Sequence, residues 1–502
     1  MARITIDNID LLDISIGNFG YWQIKMGILT LLINILIASV NIGNLFMIPP
    51  FELWCKSNEN LQNVFFKESL PCLISDVDAT ISNTTVYLKS KINVCDQLGM
   101  HDTLLIEWNL SEQKKEFTRN IYILVTTGTA VGSILFGRFA DMFGRKFLLI
   151  ILILLHALCS IVSAVGNSYE LFLAFKFISG MLSAGIIVVS LVLCIEVISV
   201  QCRTYLSAYC QFTFGIVNII FAGIGCCMYK WREFQLFLAG INVLYLSYFW
   251  FLDESPRWMV VNNFKDGAMQ TLERASRSRN IHRQIIDEMC LVYAEENAPL
   301  WAVFTHDALT LRTLYLCLIW LTLGTSSASL FLYVGNVFNN PYLYVLIDSI
   351  VLLLSGIILL LSGYCACGRQ LQSTAGIWFA ILCFCGIWVF PSGSYNTLKN
   401  FVFSELGVFG LYISMPATFI FTSELYPTVL RCTGVGFSIS FFYFGVAIMF
   451  LVNWFSQLSW IMPIVIFLCL MIAHCYLQLF LPETKDAVLP NVLTDLKNEF
   501  IP

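Results

Sequence analysis

Twelve long apolar runs constrain the fold of this chain more than any other feature. Each run is roughly 18–25 residues long, enough for a helix to cross about 30 Å of hydrocarbon. With 58% hydrophobic and only 12% charged residues, the chain is too apolar for a soluble globular protein, in which about a quarter of residues are charged. We therefore expect an all-α polytopic membrane protein, with spans near 24–47, 119–138, 147–166, 170–195, 206–228, 233–252, 313–336, 342–363, 374–391, 403–423, 434–455 and 458–480.

The distribution of basic residues orients these spans. Short loops on one side hold Arg138, Arg145, Lys146, Arg203, Arg369 and Arg431, whereas the other side holds only Lys230, Arg232 and Lys399. The more basic side is cytoplasmic. Both termini are then cytoplasmic as well, because the number of spans is even. We expect a first six-span half (1–252) with an outer loop (48–118), a cytoplasmic linker (253–312), and a second half with a cytoplasmic tail (313–502).

The outer loop carries features of the secretory compartment. Asn83-Thr-Thr and Asn109-Leu-Ser are acceptor sequons for N-glycosylation, which occurs only in the lumen. The loop also holds three cysteines, an odd number, so we expect one disulfide and one free or otherwise paired thiol among Cys55, Cys72 and Cys95. Which two of them pair is left open.

A charged hinge separates the second and third apolar runs. It reads Gly-x-x-x-Asp-x-x-Gly-Arg-Lys from Gly137 to Lys146. We expect Asp141 to start the helix that follows the hinge, which is the third span, and to meet the positive end of that helix's dipole. The alternative is a charged turn that only fixes topology. The full pattern resembles the signature loop between spans 2 and 3 of the major facilitator superfamily of secondary transporters.

The ends of the spans recur in the second half of the chain. Glu196-Val-Ile-Ser-Val-Gln-Cys-Arg203 is matched at the same spacing by Glu424-Leu-Tyr-Pro-Thr-Val-Leu-Arg431, and Glu254 is similarly matched by Glu483. This repeat indicates an internal duplication. The resemblance to the major facilitator superfamily implies two parallel six-helix halves around an axis along the membrane normal, with substrate near the midplane. The second hinge (365–370) lacks the acid, so we expect charge locking to depend mainly on the first.

Four motifs resemble the organic ion transporter family, which comprises the organic cation, carnitine and organic anion transporters. They are Leu11-Leu-Asp with Gly17-Asn-Phe-Gly-Tyr-Trp-Gln23, Asp253-Glu-Ser-Pro-Arg-Trp258, Glu424-Leu-Tyr-Pro-Thr, and Leu481-Pro-Glu-Thr-Lys485. The resemblance implies secondary-active or facilitative transport of small organic ions by alternating access. Two family features are missing: Ser327-Ala-Ser329 replaces an aromatic motif in span 7, and apolar residues replace an acid and a proline in span 8.

Other functions remain open or are disfavoured. The lost hinge acid and aromatic residues also fit a transport-inactive receptor or scaffold, and a sugar-type porter is disfavoured by the large outer loop. The sequence contains no GxxxxGK[ST] loop, HExxH, GxSxG or paired CxxC motif, so we expect no enzyme activity, cofactor or metal. With a net charge of -5 and no basic block, nucleic acid is not an expected partner. The expected partners are a small organic solute and membrane lipids.

Charged residues at the cytoplasmic helix ends are candidate gate residues. The resemblance implies that they form ion pairs which break when the inner gate opens. The alternative is that they only set topology and anchor the helix ends. They are Asp141, Arg145, Glu196, Arg203, Glu254, Arg257, Glu424, Arg431 and Glu483.

Polar and aromatic residues inside the spans are candidates for the substrate cavity. Lys176 stands out, because an intramembrane charge is costly and is a functional candidate by default. Its alternative is snorkelling to the outer surface. We expect Asp348 and Glu405 to lie in an outer vestibule, and His156 and His474 to be core histidines. The other cavity candidates are Asn34, Gln211, Trp320, Phe331, Tyr333 and Tyr443.

Tyr443 bears on the charge of the substrate. In the family that the motifs resemble, the residue twelve positions after the arginine of Glu-x6-Arg is Asp in cation transporters and Arg in anion and carnitine transporters. This chain has Tyr443 there, which supplies no net charge. We therefore expect zwitterionic, weakly charged or bulky hydrophobic ligands, with cations and zwitterions slightly preferred over anions. The alternative is that Tyr443 simply packs against span 2.

Overall fold

A computed structural model describes most of the apolar runs. The described residues are 20–47, 81–82, 85–86, 104–108, 114–228, 230–275, 302–337, 341–365, 367–389, 396–455 and 462–493. Several predicted features lie outside them: the sequon residues Asn83 and Asn109, the cysteines Cys55, Cys72 and Cys95, and the side chains of Phe331 and Tyr333.

The apolar runs of the first half are helices, because in hydrocarbon every backbone N–H and C=O must bond within the chain. One short antiparallel hairpin lies between the first two long helices. In chain order the elements are α1 (Tyr21–Met47), β1 (Ile81–Ser82), β2 (Thr85–Val86), α2 (Leu104–Glu107), α3 (Lys114–Phe143), α4 (Arg145–Val165), α5 (Tyr169–Val197), α6 (Val200–Cys227), α7 (Trp231–Leu244), a 3-10 turn (Tyr245–Ser247) and α8 (Tyr248–Phe251).

The linker and the second half are also helical. Short helices precede the next long one, and Ser255 caps the first of them by accepting a hydrogen bond from the backbone N–H of Trp258 at 3.3 Å. The elements are α9 (Pro256–Val261), α10 (Lys265–Ala275), α11 (Ala302–Thr305), α12 (Asp307–Val337), α13 (Pro341–Tyr364), α14 (Arg369–Val389), α15 (Asn396–Leu425), α16 (Arg431–Phe455) and α17 (Met462–Gln478).

In the part of the chain that the structure describes, 10 helical segments are long and apolar enough to cross a membrane. The helices α14 and α17 occupy the places of the other two expected spans. Several helices extend beyond the apolar runs. For example, α15 begins at Asn396 rather than near residue 403, because polar residues can continue a helix into the membrane interface.

Two pairs of long helices join the halves. Helix α3 packs against α16, and α6 packs against α13. Gly137 lies against the carbonyl oxygen of Cys432, and Gly436 lies against that of Ser133, so closely that a Cβ on either glycine would collide with the oxygen. Small residues allow this close backbone approach between membrane helices.

The two faces of the helix bundle differ in chemistry. We name the side that carries α9 and α10 the linker face and the side that carries α2 the loop face. At the loop face, the rings of Phe46 and Tyr342 meet across the halves with centroids 4.7 Å apart. They belong to one buried apolar cluster with Tyr344 and Phe401. We call these four residues the loop-face seal.

The segment that precedes α3 is anchored to the first half. Glu107 accepts hydrogen bonds from Trp231 Nε1 at 2.7 Å and from Arg232 Nε at 3.1 Å. Arg232 Nη2 also donates to the carbonyl oxygen of Gly166 at 2.9 Å. The hydrogen bonds from Arg232 hold the pKa of Glu107 below its usual value. Because this anchor ties α2 to α7 and to the α4–α5 turn, it fixes where the chain returns to the helix bundle before α3.

Replacing Arg232 by alanine should therefore lower the melting temperature by a few degrees in detergent. The control is Lys230→Ala, because Lys230 forms only an exposed ion pair with Glu233 among the described residues. Since the pKa of Glu107 is lowered in the folded state, the stabilisation is present at neutral pH and is lost as the pH falls through that pKa. The difference between wild type and variant should shrink in acid. Equal melting temperatures at neutral pH would contradict the anchor.

Candidate functional site

A buried cluster of charged side chains joins the two halves at the linker face. Arg145 Nη2 donates to Asp141 Oδ1 at 3.0 Å and to Glu196 Oε1 at 3.2 Å. Arg431, from the second half, donates through Nη1 to the same Glu196 oxygen at 3.0 Å. All four side chains are buried. We call them the linker-face cluster, in which one carboxylate oxygen is shared by an arginine of each half.

Asp141 reaches across the interface to the first turn of α16. Its Oδ2 accepts hydrogen bonds from the backbone N–H of Thr433 at 2.8 Å and from the hydroxyl at 2.7 Å, and its Oδ1 accepts from the N–H of Cys432 at 3.3 Å. It thus satisfies N–H groups that have no partner within α16. The prediction that Asp141 starts the third span is wrong, because α3 continues to Phe143 and the carboxylate caps a helix of the other half.

Glu254 takes the position that was predicted for Asp141. Its two carboxylate oxygens accept from the backbone N–H groups of Arg145 at 3.1 Å and Lys146 at 3.0 Å, at the start of α4. The turn before α4 is made by Gly144, whose φ of 100° suits glycine. In the second half, Glu483 accepts in the same way from the N–H groups of Arg369 at 2.9 Å and Gln370 at 3.1 Å. The predicted repeat pair therefore shares one structural role, helix capping.

A segment after the last helix supports the cluster and was missed from the sequence. The carbonyl oxygen of Pro490 accepts from Arg431 Nη2 at 3.0 Å and from the N–H of Thr428 at 3.0 Å. The carbonyl oxygen of Thr428 in turn accepts from Arg145 Nη2 at 3.0 Å. Thr428 lies in the Glu-Leu-Tyr-Pro-Thr motif, but no pattern in the sequence connects it with Pro490.

The second hinge also contacts the opposite half. Arg369 Nη1 donates to the hydroxyl of Thr204 in α6 at 3.1 Å, and its Nε lies 3.6 Å from Glu424 Oε2. Glu424 also accepts from the hydroxyl of Thr484 at 2.6 Å. An acid from the end of α15 thus stands beside Arg369 where the hinge itself has none. The sequence predicted Glu424 as a gate residue but did not pair it with Arg369.

The remaining predicted bases are buried at the same face. Arg257 Nε donates to the backbone carbonyl of Glu196 at 3.2 Å, which fixes the end of α5. Arg203 is fully buried in the first turn of α6. The predicted gate residues therefore lie at one face, although the contacts given above for Glu254, Arg257, Glu424 and Glu483 stay within their own halves.

Nearer the middle of the bundle, a hydrogen bond connects the halves between α6 and α15. Gln211 Nε2 donates to the backbone carbonyl oxygen of Tyr412. The hydroxyl of Tyr412 donates to Asp348 Oδ1 at 2.7 Å. Gln211 is the predicted cavity residue that the structure places at a polar contact between the halves.

Lys176 lies inside the first half and does not extend to the membrane surface. Its Nζ donates to Asn44 Oδ1 at 2.9 Å and contacts Gln235 Oε1 at 3.5 Å. It also lies 5.4 Å from the centroid of the Phe172 ring. These partners come from α1, α5 and α7, so the ammonium group is held within one half rather than snorkelling outward.

Both predicted core histidines are buried in polar networks. The His156 ring contacts Ser179 Oγ and Asn242 Nδ2, each at 3.0 Å. The His474 ring contacts Thr322 Oγ1 at 3.1 Å and Gln478 Oε1 at 3.0 Å. Each network lies within one half, so these histidines tie helices together inside the halves.

The other cavity candidates have different environments. Trp320 is buried within the second half, where its Nε1 donates to Thr422 Oγ1 at 3.0 Å. Asn34 is fully buried in α1. Tyr443 is half-buried and lies seven residues after Gly436, on the same face of α16. That face packs against α3 nearer the linker face, which agrees with either role considered for Tyr443.

The two acids expected in an outer vestibule lie deeper than predicted. Glu405 is only 5% exposed, and Asp348 is half-buried beside Tyr412. Each follows a residue of the loop-face seal by four positions along its helix. The vestibule prediction is therefore wrong for Glu405. Counting residues from the end of a span indicates how deep a side chain lies in the membrane. It does not show whether neighbouring helices cover that side chain.

Comparison with known proteins agrees with this architecture. Residues 82–494 match the family described as Sugar (and other) transporter. Solute carrier family 22 member 6 of Rattus norvegicus is 26% identical over 422 residues, which cover 81% of this chain and 75% of that protein. The organic cation transporter protein of Drosophila melanogaster is 22% identical, covering 96% of this chain and 93% of that protein.

A solved structure shows the same fold. The proton:xylose symporter XylE, a major facilitator superfamily protein, superposes with a TM-score of 0.66 at 14% sequence identity. The match covers 95% of this chain and 98% of that one. At this identity, the likeness concerns the fold alone.

Two helical halves joined by buried contacts at both faces define a membrane transporter of the major facilitator fold, as the sequence predicted. The chain belongs to the sugar (and other) transporter family. Its resemblance to the organic ion transporters is confirmed by its relatives in solute carrier family 22. Members of this family are transporters and not enzymes.

The contacts of Asp141 predict the effect of replacing it. Asp141→Asn should fold and reach the cell surface, but the halves should separate more easily at the linker face. Hydrogen bonds to charged groups contribute about 1.5–3 kcal/mol each, so weakening those from Thr433 should raise the open population about tenfold or more. The thiol of Cys432 is buried, so N-ethylmaleimide should alkylate it only when the linker face opens. Peptide mass spectrometry measures the rate of this alkylation.

Asp486→Asn is the matched control, because this carboxylate is exposed and pairs only weakly with Lys485 at 3.7 Å. It should leave the alkylation of Cys432 at the wild-type rate. Suppose that Cys432 in Asp141→Asn is also alkylated at the wild-type rate and that this variant transports at the wild-type rate. The carboxylate then does not hold the halves together.

Proposed function

We propose that this protein carries small organic ions across the plasma membrane by alternating access, as a secondary-active or facilitative carrier. One observation carries the proposal: Glu196 Oε1 bonds to an arginine from each half within a buried interface. Such a contact closes one face, and water can replace it when that face opens. The names of the relatives, one of them an organic cation transporter protein, support organic ions as the cargo.

In this mechanism the two faces open in turn around a central site. The linker-face cluster and the loop-face seal are both closed in the structure. Opening the linker face must break the contacts from Arg431 to Glu196 and from Thr433 to Asp141. The predicted charged residues that cross the interface thus act as an inner gate, while Glu254 and Glu483 hold helix ends in place.

The linker face is the cytoplasmic face in this proposal. Residues 253–312 then form a cytoplasmic linker between a first half (1–252) and a second half (313–502), and both termini are cytoplasmic. The excess of basic residues in the short loops supports this orientation. Residues 48–118 consequently face outward, and membrane lipids surround the bundle.

The cargo is a cation or a zwitterion in preference to an anion. Lys176 is held among helices of the first half by Asn44 and Gln235, so we do not place it at the interface between the halves where the solute binds. Gln211, Asn34 and Tyr443 remain candidates to contact the solute, together with the aromatic residues Phe331 and Tyr333. Aromatic faces attract organic cations.

Uptake by cells expressing the protein tests this proposal. Competing radiolabelled cationic, zwitterionic and anionic probes should show uptake of the first two with modest discrimination by charge. We expect Tyr443→Asp to shift the preference towards cations and Tyr443→Arg towards anions, because each places a fixed charge beside the solute. Tyr21→Asp and Tyr21→Arg are controls, since Tyr21 is exposed at the start of α1.

Three outcomes contradict parts of the proposal. Surface expression without accumulation of any solute would indicate a receptor or scaffold instead of a carrier. Uptake of a hexose and of no ionic probe would indicate a sugar porter. An unchanged charge preference in both Tyr443 variants would show that Tyr443 packs against α3 and does not face the solute.

The proposed orientation also predicts glycans on the outer loop. Asn83 and Asn109 should both be modified, because their sequons would face the lumen during synthesis. Treatment with a glycosidase should increase gel mobility, and Asn83→Gln and Asn109→Gln should each remove part of that shift. No change in mobility for the wild type would place this loop on the other side of the membrane.

A further inference from the structure

Two carboxylates of the second half lie immediately beneath the loop-face seal. Asp348 follows Tyr344 by four residues in α13, and Glu405 follows Phe401 by four residues in α15. Four residues of helix place each acid about 6 Å further into the bundle than its aromatic neighbour. Tyr412 lies seven residues after Glu405, on the same face of α15, and its hydroxyl donates to Asp348 in α13. Both acids therefore lie where these two helices meet, and we call them the acidic pair.

This acidic pair lacks the compensation found at the linker face. Glu405 is 5% exposed, and neither of its carboxylate oxygens has a hydrogen-bond partner among the described residues. Asp348 accepts one hydrogen bond, from Tyr412. Within the same part of the chain, no lysine or arginine forms an ion pair with either acid. By contrast, Glu196 bonds to two arginines.

A buried carboxylate without a partner is strongly unfavourable, and a second carboxylate beside it adds repulsion. A positive charge placed between the acids would relieve both effects. The pair is therefore suited to binding a cation from outside the chain.

The groups around the pair favour an organic cation. Tyr412 of α15 donates to Asp348, Tyr344 precedes Asp348 by about one turn of α13, and Tyr122 of α3 lies near Tyr344. Phenol rings attract organic ammonium groups through their faces, and their hydroxyls add no positive charge. From the opposite half, α6 contributes the neutral amide of Gln211, bonded to the backbone of Tyr412.

The position of the pair also suits a transported ion. The acids belong to the second half, whereas Tyr122 and Gln211 belong to the first, so the site spans the interface that must open and close. Substrates of this fold bind between the halves near the midplane. A cation entering from the loop face would reach the acids directly after passing the seal.

We propose that Asp348 and Glu405 bind the positively charged ammonium group of the solute. This inference deepens the proposed function and rests on it for the identity of the carried solute. The acids supply the fixed negative charge that Tyr443 does not. Zwitterions bind through their ammonium end, with the carboxylate directed away from the pair.

Binding of radiolabelled tetraethylammonium to the purified full-length protein in detergent tests the proposal, because the charge of this probe does not depend on pH. Glu405→Gln and Asp348→Asn should each weaken binding about tenfold or more. Glu233→Gln is the matched control, since Glu233 is exposed at the start of α7 and should keep wild-type affinity. Glu405→Asp keeps the charge and should bind more tightly than Glu405→Gln.

Benzoate serves as an anionic competitor, and its binding should not weaken in Glu405→Gln. Melting curves identify any variant that fails to fold. If Glu405→Gln does not fold, the tetraethylammonium affinities of Asp348→Asn and Glu405→Asp, each compared with wild type, test the proposal. Absence of tetraethylammonium binding to the wild type overturns the proposal. Wild-type affinity in both neutral variants also overturns it, and shows that the acids hold a proton or serve only packing.

These outcomes separate the site from the proposed function. Tetraethylammonium binding that depends on Glu405, in cells that accumulate no solute, would sustain the site and contradict transport. Uptake of organic ions that is unaffected by both neutral variants would sustain transport and overturn the site.

Discussion

The closed linker face depends on one carboxylate oxygen shared between the two halves. Glu196 Oε1 bonds to Arg145 and to Arg431, and all three side chains are buried. Removing one partner from a buried ion pair costs about 3–5 kcal/mol, because the other charge is left without compensation. The surrounding contacts serve this arrangement, since Asp141 holds Arg145 while Pro490 holds Arg431. The halves can therefore separate here only if water replaces every contact together.

The two faces are held closed by different interactions: apolar packing at the loop face and buried ion pairs at the linker face. Opening them therefore has different free-energy costs. At the loop face, rings such as Phe46 and Tyr342 pack together, and opening exposes apolar surface to water. At the linker face, opening transfers charged groups into water, where hydration offsets the lost ion pairs. Salt weakens only the second kind of contact once water has access to it. An asymmetry of this kind allows one face to yield while the other holds.

The sequence predicted the fold well, because a membrane leaves few alternatives for long apolar runs. The repeat of Glu196 and Arg203 as Glu424 and Arg431 also predicted which charged residues gather at one face. The sequence failed where a partner comes from a distant helix. The sequence assigned Asp141 to the start of the helix that follows it. In the structure it caps α16, because the packing of α3 against α16 brings the N–H of Thr433 within hydrogen-bond distance of its carboxylate. Similarly, the depth of Glu405 along α15 could not show that the loop-face seal covers it.

The empty carrier and the loaded carrier should differ in their electrostatics near the seal. With nothing bound, Asp348 and Glu405 can both be ionised only at a high cost in desolvation and repulsion, and this cost is lowest when water reaches them from the loop face. A bound ammonium group removes this repulsion and so favours closure of the seal above it. A ligand shifts an equilibrium only through its different affinity for the two states. Here the difference arises because a bound cation stabilises the buried acids far more than acids that water already hydrates. The cargo itself would therefore stabilise the closed loop face.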